Sequence, residues 1–312
     1  MAAAALRTLP LLENRFHPDE ALYAYFGRLI ASGHDPLLAG VLVDKPPLSF
    51  YLTALSLWLV GPHELAARLP EFWASLVSVA LIYSLGRRLY GPRLGVLAAW
   101  LLALSPFAIL FAITVFVDPL LTAAILWALW AAAAGRWRTL AAALSVAFAI
   151  KQTALVFVPL ALALAVWAPP SPAHWRALGA RQARVLRPLL AALAITLVLI
   201  LGWDQLRHPP IGFWAQGYSD NLPGRLVRAT EVLPRALAWI NLQRYFTSSN
   251  LVNGLFLIGL PLLLIFGGRA ASRMALADYL IAVYLLVYLA AYWLLAFNVW
   301  DRYLLPVLPL WL

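Results

Sequence analysis

Apolar residues occur in blocks along this chain, at about 69–86, 94–117, 119–135, 139–150, 152–168, 188–206, 251–267, 275–297 and 303–312, with the polar residues gathered between them. A helix needs about 20 such residues to cross a bilayer, within a working range of about 17–25. The pattern predicts an all-α, polytopic transmembrane bundle with about nine apolar segments. One stretch decides the path of the rest. Residues 139–167 are nearly uncharged apart from Lys151. As a single span they would carry the following arginine cluster to the far side. As two short helices they form a hairpin that returns the chain, with Lys151 at its tip. The hairpin is the expectation. Helices of about 12 and 16 residues fall short of the ~30 Å hydrocarbon core, which places the tip in a recess.

Composition excludes the soluble alternatives. Hydrophobic residues make up 64% of the 312 and charged residues 12%, about half the roughly 25% usual in soluble domains. Mean hydropathy is +0.83. A cytosolic enzyme, a secreted disulfide scaffold and a disordered tail are all excluded. The absence of cysteine removes disulfides, Cys-ligated metals and thiol nucleophiles. The net charge of +10 raises the question of nucleic acid, but the basic residues lie between apolar runs rather than on one face. Arg87, Arg88, Arg93, Arg136, Arg138, Arg176, Arg181, Arg184, Arg187, Arg269 and Arg273 fall in turns assigned to the cytoplasm by the positive-inside rule. Only Asp278 is acidic there, while the other regions carry twelve residues of each sign. The excess is topological, and no nucleic-acid partner is expected. The chain reads as one membrane domain, 1–312, with a first outer loop at 13–68 bearing short surface helices and a second large outer loop at 207–250.

The outer face collects the candidate chemistry. Asp19 and Glu20 follow Pro18 and open an amphipathic stretch, Pro18–Ser32, that Gly33 ends. They are either acids at the positive end of a helix or a catalytic base at the membrane surface. Asp44-Lys45-Pro46-Pro47-Leu48 stiffens the chain beside Lys45, one of two lysines against 21 arginines. A retained ammonium suits a phosphate. Lys151 is a second such group, or a residue snorkelling from the hairpin tip. Asp118-Pro119 reads as a helix N-cap, or as an acid orienting a metal or an acceptor. Asp301-Arg302 is either a local charge pair or an arginine clamp on a phosphate oxygen. No histidine shows metal-ligand spacing. Should a divalent cation such as Mg²⁺ or Mn²⁺ be used, Asp19, Asp118 and His208 are the candidate ligands. Trp214, Tyr218, Trp239, Tyr245 and Phe246 in the second loop predict an interfacial helix around 235–246. No nucleotide-binding loop, Ser-His-Asp pattern or long repeat is present.

His17-Pro18-Asp19-Glu20-Ala21-Leu22-Tyr23-Ala24 followed by Asp44-Lys45-Pro46-Pro47-Leu48 resembles the first outer loop of GT-C membrane glycosyltransferases. The branch it is most similar to holds the dolichyl-phosphate-mannose protein mannosyltransferases and the bacterial aminoarabinose transferases acting on lipid A. Arg68-Leu69-Pro70, Tyr83–Tyr90 with paired Arg87-Arg88, Val117-Asp118-Pro119 and Arg302-Tyr303-Leu304-Leu305-Pro306 resemble that branch as well. The likeness covers most of 14–160 and thins through 188–296. It implies transfer of a sugar, with inversion, from a polyprenyl-phosphate donor to a hydroxyl or amine on an envelope lipid, polysaccharide or protein, at the outer side of a bacterial cell membrane. Asp19 would be the general base and Glu20 its support. Lys45 and Arg302 would neutralise the leaving phosphate, joined by Asp44, Tyr23 and Lys151 in the donor site. Asp118 would be a second acid holding the acceptor or a metal. Only about a dozen residues precede Glu13, where the family has a complete first transmembrane helix, and Leu312 falls inside an apolar run. A fragment is therefore expected. A transporter or flippase, and a non-catalytic relative that binds the carrier lipid, are the competing readings; mid-membrane charges would favour transport.

Overall fold

The computed structural model describes residues 1–13, 15–166, 172–221, 225–266 and 273–312. Helices dominate. α1 (Ala2–Glu13) precedes the first loop, which carries α2 (Pro18–Ala31) and α3 (Leu48–Val60). The bundle follows with α4 (Glu64–Tyr90), α5 (Pro92–Leu104), α6 (Pro106–Ala112), α7 (Asp118–Ala133) and α8 (Trp137–Ile150). A 3-10 turn, Gln152–Phe157, then leads into α9 (Val158–Val166) and the long α10 (Pro172–Leu206). The second loop holds α11 (Phe213–Asn221) and α12 (Ala229–Gln243), before α13 (Asn250–Phe266) and α14 (Arg273–Leu294). A 3-10 turn, Asp301–Leu304, and a short α15 (Leu308–Trp311) complete the chain described. The only strand-like pairing among the described residues is a single bridge between Leu226 and Leu295.

Of the nine apolar runs expected, three form span-length helices among the described residues, and the others are shorter or broken. Glu64–Tyr90, Arg184–Leu206 and Leu276–Leu294 are each long and apolar enough to span a bilayer. The run at 94–117 is not one helix. Pro106 cannot continue α5, and the chain bends by 60° into α6. Arg7 takes up the carbonyls freed at that break. Buried, it donates to Ala103 O at 3.0 Å and Leu102 O at 3.4 Å, and to Ser75 Oγ at 2.9 Å. The run at 303–312 also departs from a span, forming two short turns. The ends of the runs at 152–168 and 251–267, and Arg269 among the arginine turns, lie outside the described residues.

α7 is the axis of the bundle. Leu121, Ala124, Ile125, Ala128, Leu129, Ala131 and Ala132 are all buried, and Leu140, Ala143, Leu144 and Ala147 of α8 face them. Small residues at such a crossing let backbones approach closely. The lipid-facing surface has the opposite character: Leu190, Ile195, Val198, Leu199 and Leu206 of α10 are exposed. The two ends of the bundle can be told apart. α7 begins at Asp118 and α8 ends beside Lys151, and these two side chains meet at 2.6 Å. The turn joining the helices, at Gly135, therefore lies at the other end, about 20–24 Å away at 1.5 Å per residue. Arg88 donates to Ala133 O there at 2.7 Å. The hairpin is as expected: Lys151 is extended (φ −155°, ψ 132°) between α8 and the 3-10 turn.

Gly95 sets the α4–α5 crossing. A Cβ there would lie 2.6 Å from Arg87 N and 2.8 Å from Tyr83 O, both backbone atoms. Gly95→Ala is expected to destabilise the protein by about 1–3 kcal/mol and to lower its melting temperature in detergent. Gly254→Ala, where nothing lies within 4 Å, is expected to leave it unchanged or raise it slightly.

Candidate active site

Four segments converge at the end of the bundle where α7 begins. α2 starts with Pro at its first position and His17 as cap, and Glu20 completes a capping box to the His17 amide. It closes at Ser32 before Gly33 at φ 73°, matching the predicted amphipathic stretch. This helix presents Asp19 and Tyr23. The rigid Lys45-Pro46-Pro47 turn leads into α3, the hairpin tip brings Lys151, and the 3-10 turn after α14 brings Arg302. A cavity of about 150 Å³ opens between them, lined by Asp44, Lys45, Lys151 and Arg302 on one side. Trp214, Gly217, Tyr218 and Asn221 of α11 and Tyr292, Phe297 and Tyr303 form the other.

Each cation has its own acid. Lys151 and Asp118 are 5% and 1% exposed and bonded to each other. Asp118 is therefore not the side-chain N-cap that its position before Pro119 suggests; Val117 holds the cap position and no side chain caps it. Lys45 bonds to Asp44 and, at 2.5 Å, to the Tyr23 hydroxyl. Burial alone would lower the Lys45 pKa, but Tyr23 and Asp44 outweigh it and hold the ammonium above its ordinary value. Arg302 reaches Asp19 at 3.3 Å and lies over the rings of Phe116 and Trp300. Burial opposes its charge too, and Asp118, Tyr23, Tyr303 and Asp19 together overcome it. Asp19 is half-exposed (its side chain 44%) and, like Tyr23, is not among the lining residues; it meets the cavity through Arg302, as Tyr23 does through Lys45.

Glu20 is placed differently from Asp19. Its oxygens accept from His17 N at 3.3 Å and Val115 N at 3.2 Å and face Arg68 at 3.5 Å, away from the cavity lining. Burial raises its pKa against the pull of those partners. His208 is exposed, in a left-handed turn (φ 47°) after α10. Among the described residues no three His, Asp or Glu side chains group as a metal site, and Asp118 has its carboxylate committed to Lys151.

Several lining residues escaped the sequence reading. Gln152 follows Lys151 and donates to Asp44 O at 2.9 Å, joining the hairpin tip to the first loop. Gly217 lets α11 close onto the same point, since a Cβ there would sit 2.5 Å from Asp44 O. Arg235, on the interfacial helix predicted around 235–246 and found at Ala229–Gln243, donates to the carbonyls of Tyr292, Trp293, Leu295 and Phe297. It thereby fixes the end of α14 where Tyr292 and Phe297 face the cavity. Tyr303 bonds to Asn221 at 2.6 Å. Gln152 and Tyr303 sit directly beside charged candidates, and that adjacency was the available signal; α11 offered none.

Removing one partner of a buried pair strands the other charge. Lys151→Met is expected to lower stability by about 3–5 kcal/mol, read as thermal unfolding in detergent. Adding Asp118→Leu should restore most of that loss, whereas an additive double variant would mean the pair contributes nothing as a pair.

Comparison with known proteins adds a frame to this geometry. The family model described as dolichyl-phosphate-mannose-protein mannosyltransferase matches residues 44–203. That stretch includes Lys45, Asp118 and Lys151. The Bacillus subtilis (strain 168) protein YkcB, whose name places it with the mannosyltransferases, is 33% identical over 90 residues, 29% of this chain and 13% of that protein. The crystal structure of ArnT from Cupriavidus metallidurans in the apo state superposes with a TM-score of 0.65 at 21% identity, covering 95% of this chain and 53% of that one. ArnT bound to undecaprenyl phosphate gives 0.68 at 20%, covering 99% and 57%. The chain thus spans a little over half the length of the structures it matches and shares their polytopic membrane fold. With the family model matching just over half of its residues, the chain belongs to the dolichyl-phosphate-mannose-protein mannosyltransferase family.

Proposed function

We propose that the protein transfers a sugar from a polyprenyl-phosphate donor to an acceptor hydroxyl or amine, with inversion at the anomeric carbon. The observation that carries this is the convergence of Lys45, Lys151 and Arg302, from three distant segments, on one cavity, with the Asp19 carboxylate 3.3 Å from Arg302. The undecaprenyl phosphate named with the ArnT structure supports a donor of this class. In the step, the acceptor oxygen or nitrogen bonds to the anomeric carbon as the bond from that carbon to the phosphate oxygen breaks. Asp19 takes the acceptor's proton. The leaving polyprenyl phosphate gains negative charge, which Lys45, Lys151 and Arg302 offset where it develops. The donor phosphate competes with Asp19 for Arg302, so donor binding frees the base. Glu20 acts at a distance: by capping α2 and holding Val115 it positions Asp19. Asp118 supplies the counter-charge to Lys151 and holds it at the cavity. The aromatic wall of Tyr292, Phe297, Trp214 and Tyr218 suits the apolar face of a sugar ring. The charges sit at helix ends and turns, which favours an enzyme over a transporter.

Transfer from labelled polyprenyl-phosphate sugars, assayed in membranes carrying the full-length protein, tests the base. Asp19→Asn is expected to slow turnover by about 10²–10⁴-fold, the usual contribution of a general base, with donor affinity retained. Undiminished transfer would remove Asp19 from the role. Sidedness is a second test. We place the cavity end outside and the arginine turns inside. The chain has no cysteine, so single substitutions report cleanly. An impermeant maleimide added to intact cells is expected to label Ser219→Cys on α11 and to miss Arg93→Cys at the opposite end. The reverse pattern would invert the map.

A further inference from the structure

At the end of the bundle opposite the candidate active site, the α7–α8 turn and the middle of α10 frame a second cavity, of about 580 Å³. Its wall carries Arg136, Arg138, Arg184 and Arg187, with Trp137 and Thr139 among them and no carboxylate. Arg136 and Arg138 flank the start of α8, and Arg184 and Arg187 lie one turn apart on α10. Guanidinium groups gathered round one cavity repel one another unless an anion sits among them. None of the ion pairs among the described residues involves Arg136, Arg138 or Arg187. The backbone adds to the same field. α8 has no side-chain cap at Arg136, so the amides of its first turn point outward from the positive end of the helix.

The surroundings distinguish a lipid from a dissolved ion. Leu190, one turn beyond Arg187, is exposed, and Ile195, Val198 and Leu199 continue an exposed apolar face along α10 toward the membrane interior. Trp130, under the Arg136 guanidinium at 4.9 Å, and Trp137 are aromatics of the kind that settle at headgroup level. A ligand matching both features has a phosphate at one end and hydrocarbon at the other. We propose that this cavity holds the phosphate headgroup of an anionic lipid, with its acyl chains along the apolar face of α10. Arginine forks from two helices would bind the phosphate oxygens in pairs, so the lipid would tie α8 to α10 at the far end of the hairpin that carries Lys151.

The test is thermal unfolding of the detergent-purified protein with added phosphatidylglycerol, phosphatidylcholine or inorganic phosphate. Phosphatidylglycerol is expected to raise the melting temperature, with neither of the other two matching it at equal concentration. In the double variant Arg138→Gln, Arg187→Gln the shift should fall by more than half. Arg225→Gln, on the loop after α11, should keep it. Arg138→Lys, Arg187→Lys retains the charge without the fork and is expected to fall between. Native mass spectrometry should count fewer retained phosphatidylglycerol molecules on the Gln double variant, a readout independent of its own stability. An equal shift with phosphatidylcholine, an equal shift with inorganic phosphate, or an undiminished shift and lipid count in the Gln double variant would each overturn the proposal.

Discussion

A charge enclosed by apolar helices must bring a counter-charge or hydrogen-bond partners with it, and the polar end of this molecule is organised by that requirement. Lys151 sits at 5% exposure because Asp118 meets it at 2.6 Å. The pair joins the start of α7 to the tip of the hairpin. Arg68 and Glu20 do the same between α4 and α2, and Glu20 also holds the chain at Val115 just before α7. Glu71, buried in α4, accepts from Leu120 N at 2.9 Å in the first turn of α7. Each link involves a group whose isolated burial would be strongly unfavourable. The arrangement is therefore all-or-none: displacing one segment leaves unpaired charges on its neighbours, and that penalty specifies a single geometry more sharply than leucine packing does.

The same pairing sets the chemical state of the cavity. Lys45, Lys151 and Arg302 are matched one for one by Asp44, Asp118 and Asp19. Without a substrate the set is neutral, and its desolvation has already been met during folding. On the proposed reading, a phosphate entering the cavity exchanges counter-ions instead of quenching bare positive charge, which moderates its binding. The gain is greatest when charge on the phosphate grows, as it does when a glycosidic bond to it breaks. Interactions that strengthen in that way favour the transition state over the bound donor. Asp19 is the most exposed of the three acids, and on the proposed reading it is the base.

Much of this was legible in the sequence because lipid imposes strong rules. Apolar runs, arginine turns and the isolated Lys151 predicted a helical bundle with a hairpin, and the hairpin is there. Asp19, Lys45, Lys151 and Arg302 stood out because charged residues are scarce in such a chain. What pairing each makes was not legible. Asp118 before Pro119 matches an N-cap, yet its carboxylate turns to a lysine 33 positions away. Glu20 and Asp19 are adjacent in sequence but project to different sides of α2, one into a structural cluster and one toward the cavity. Arg7, a lone charge in the first apolar stretch, closes the α5–α6 break. Gly217 and Arg235 carried no local signal at all, because their importance comes from what lies opposite them in space.

Helix length explains the depth of the site. α7 and α8 are about 24 and 21 Å long at 1.5 Å per residue, short of the ~30 Å hydrocarbon core. α4 and the apolar stretch of α10 run longer, and the buried Lys151–Asp118 pair closes one end of the shorter helices. The first-loop helices and α11 cover the recess, and Gly217 lets α11 settle directly onto the Asp44 carbonyl. The buried Lys45 and Lys151 are shielded from bulk water, which strengthens the charge interaction each makes with its acid. On the proposed reading, short central helices let one site hold a buried ion pair and meet a lipid-linked donor.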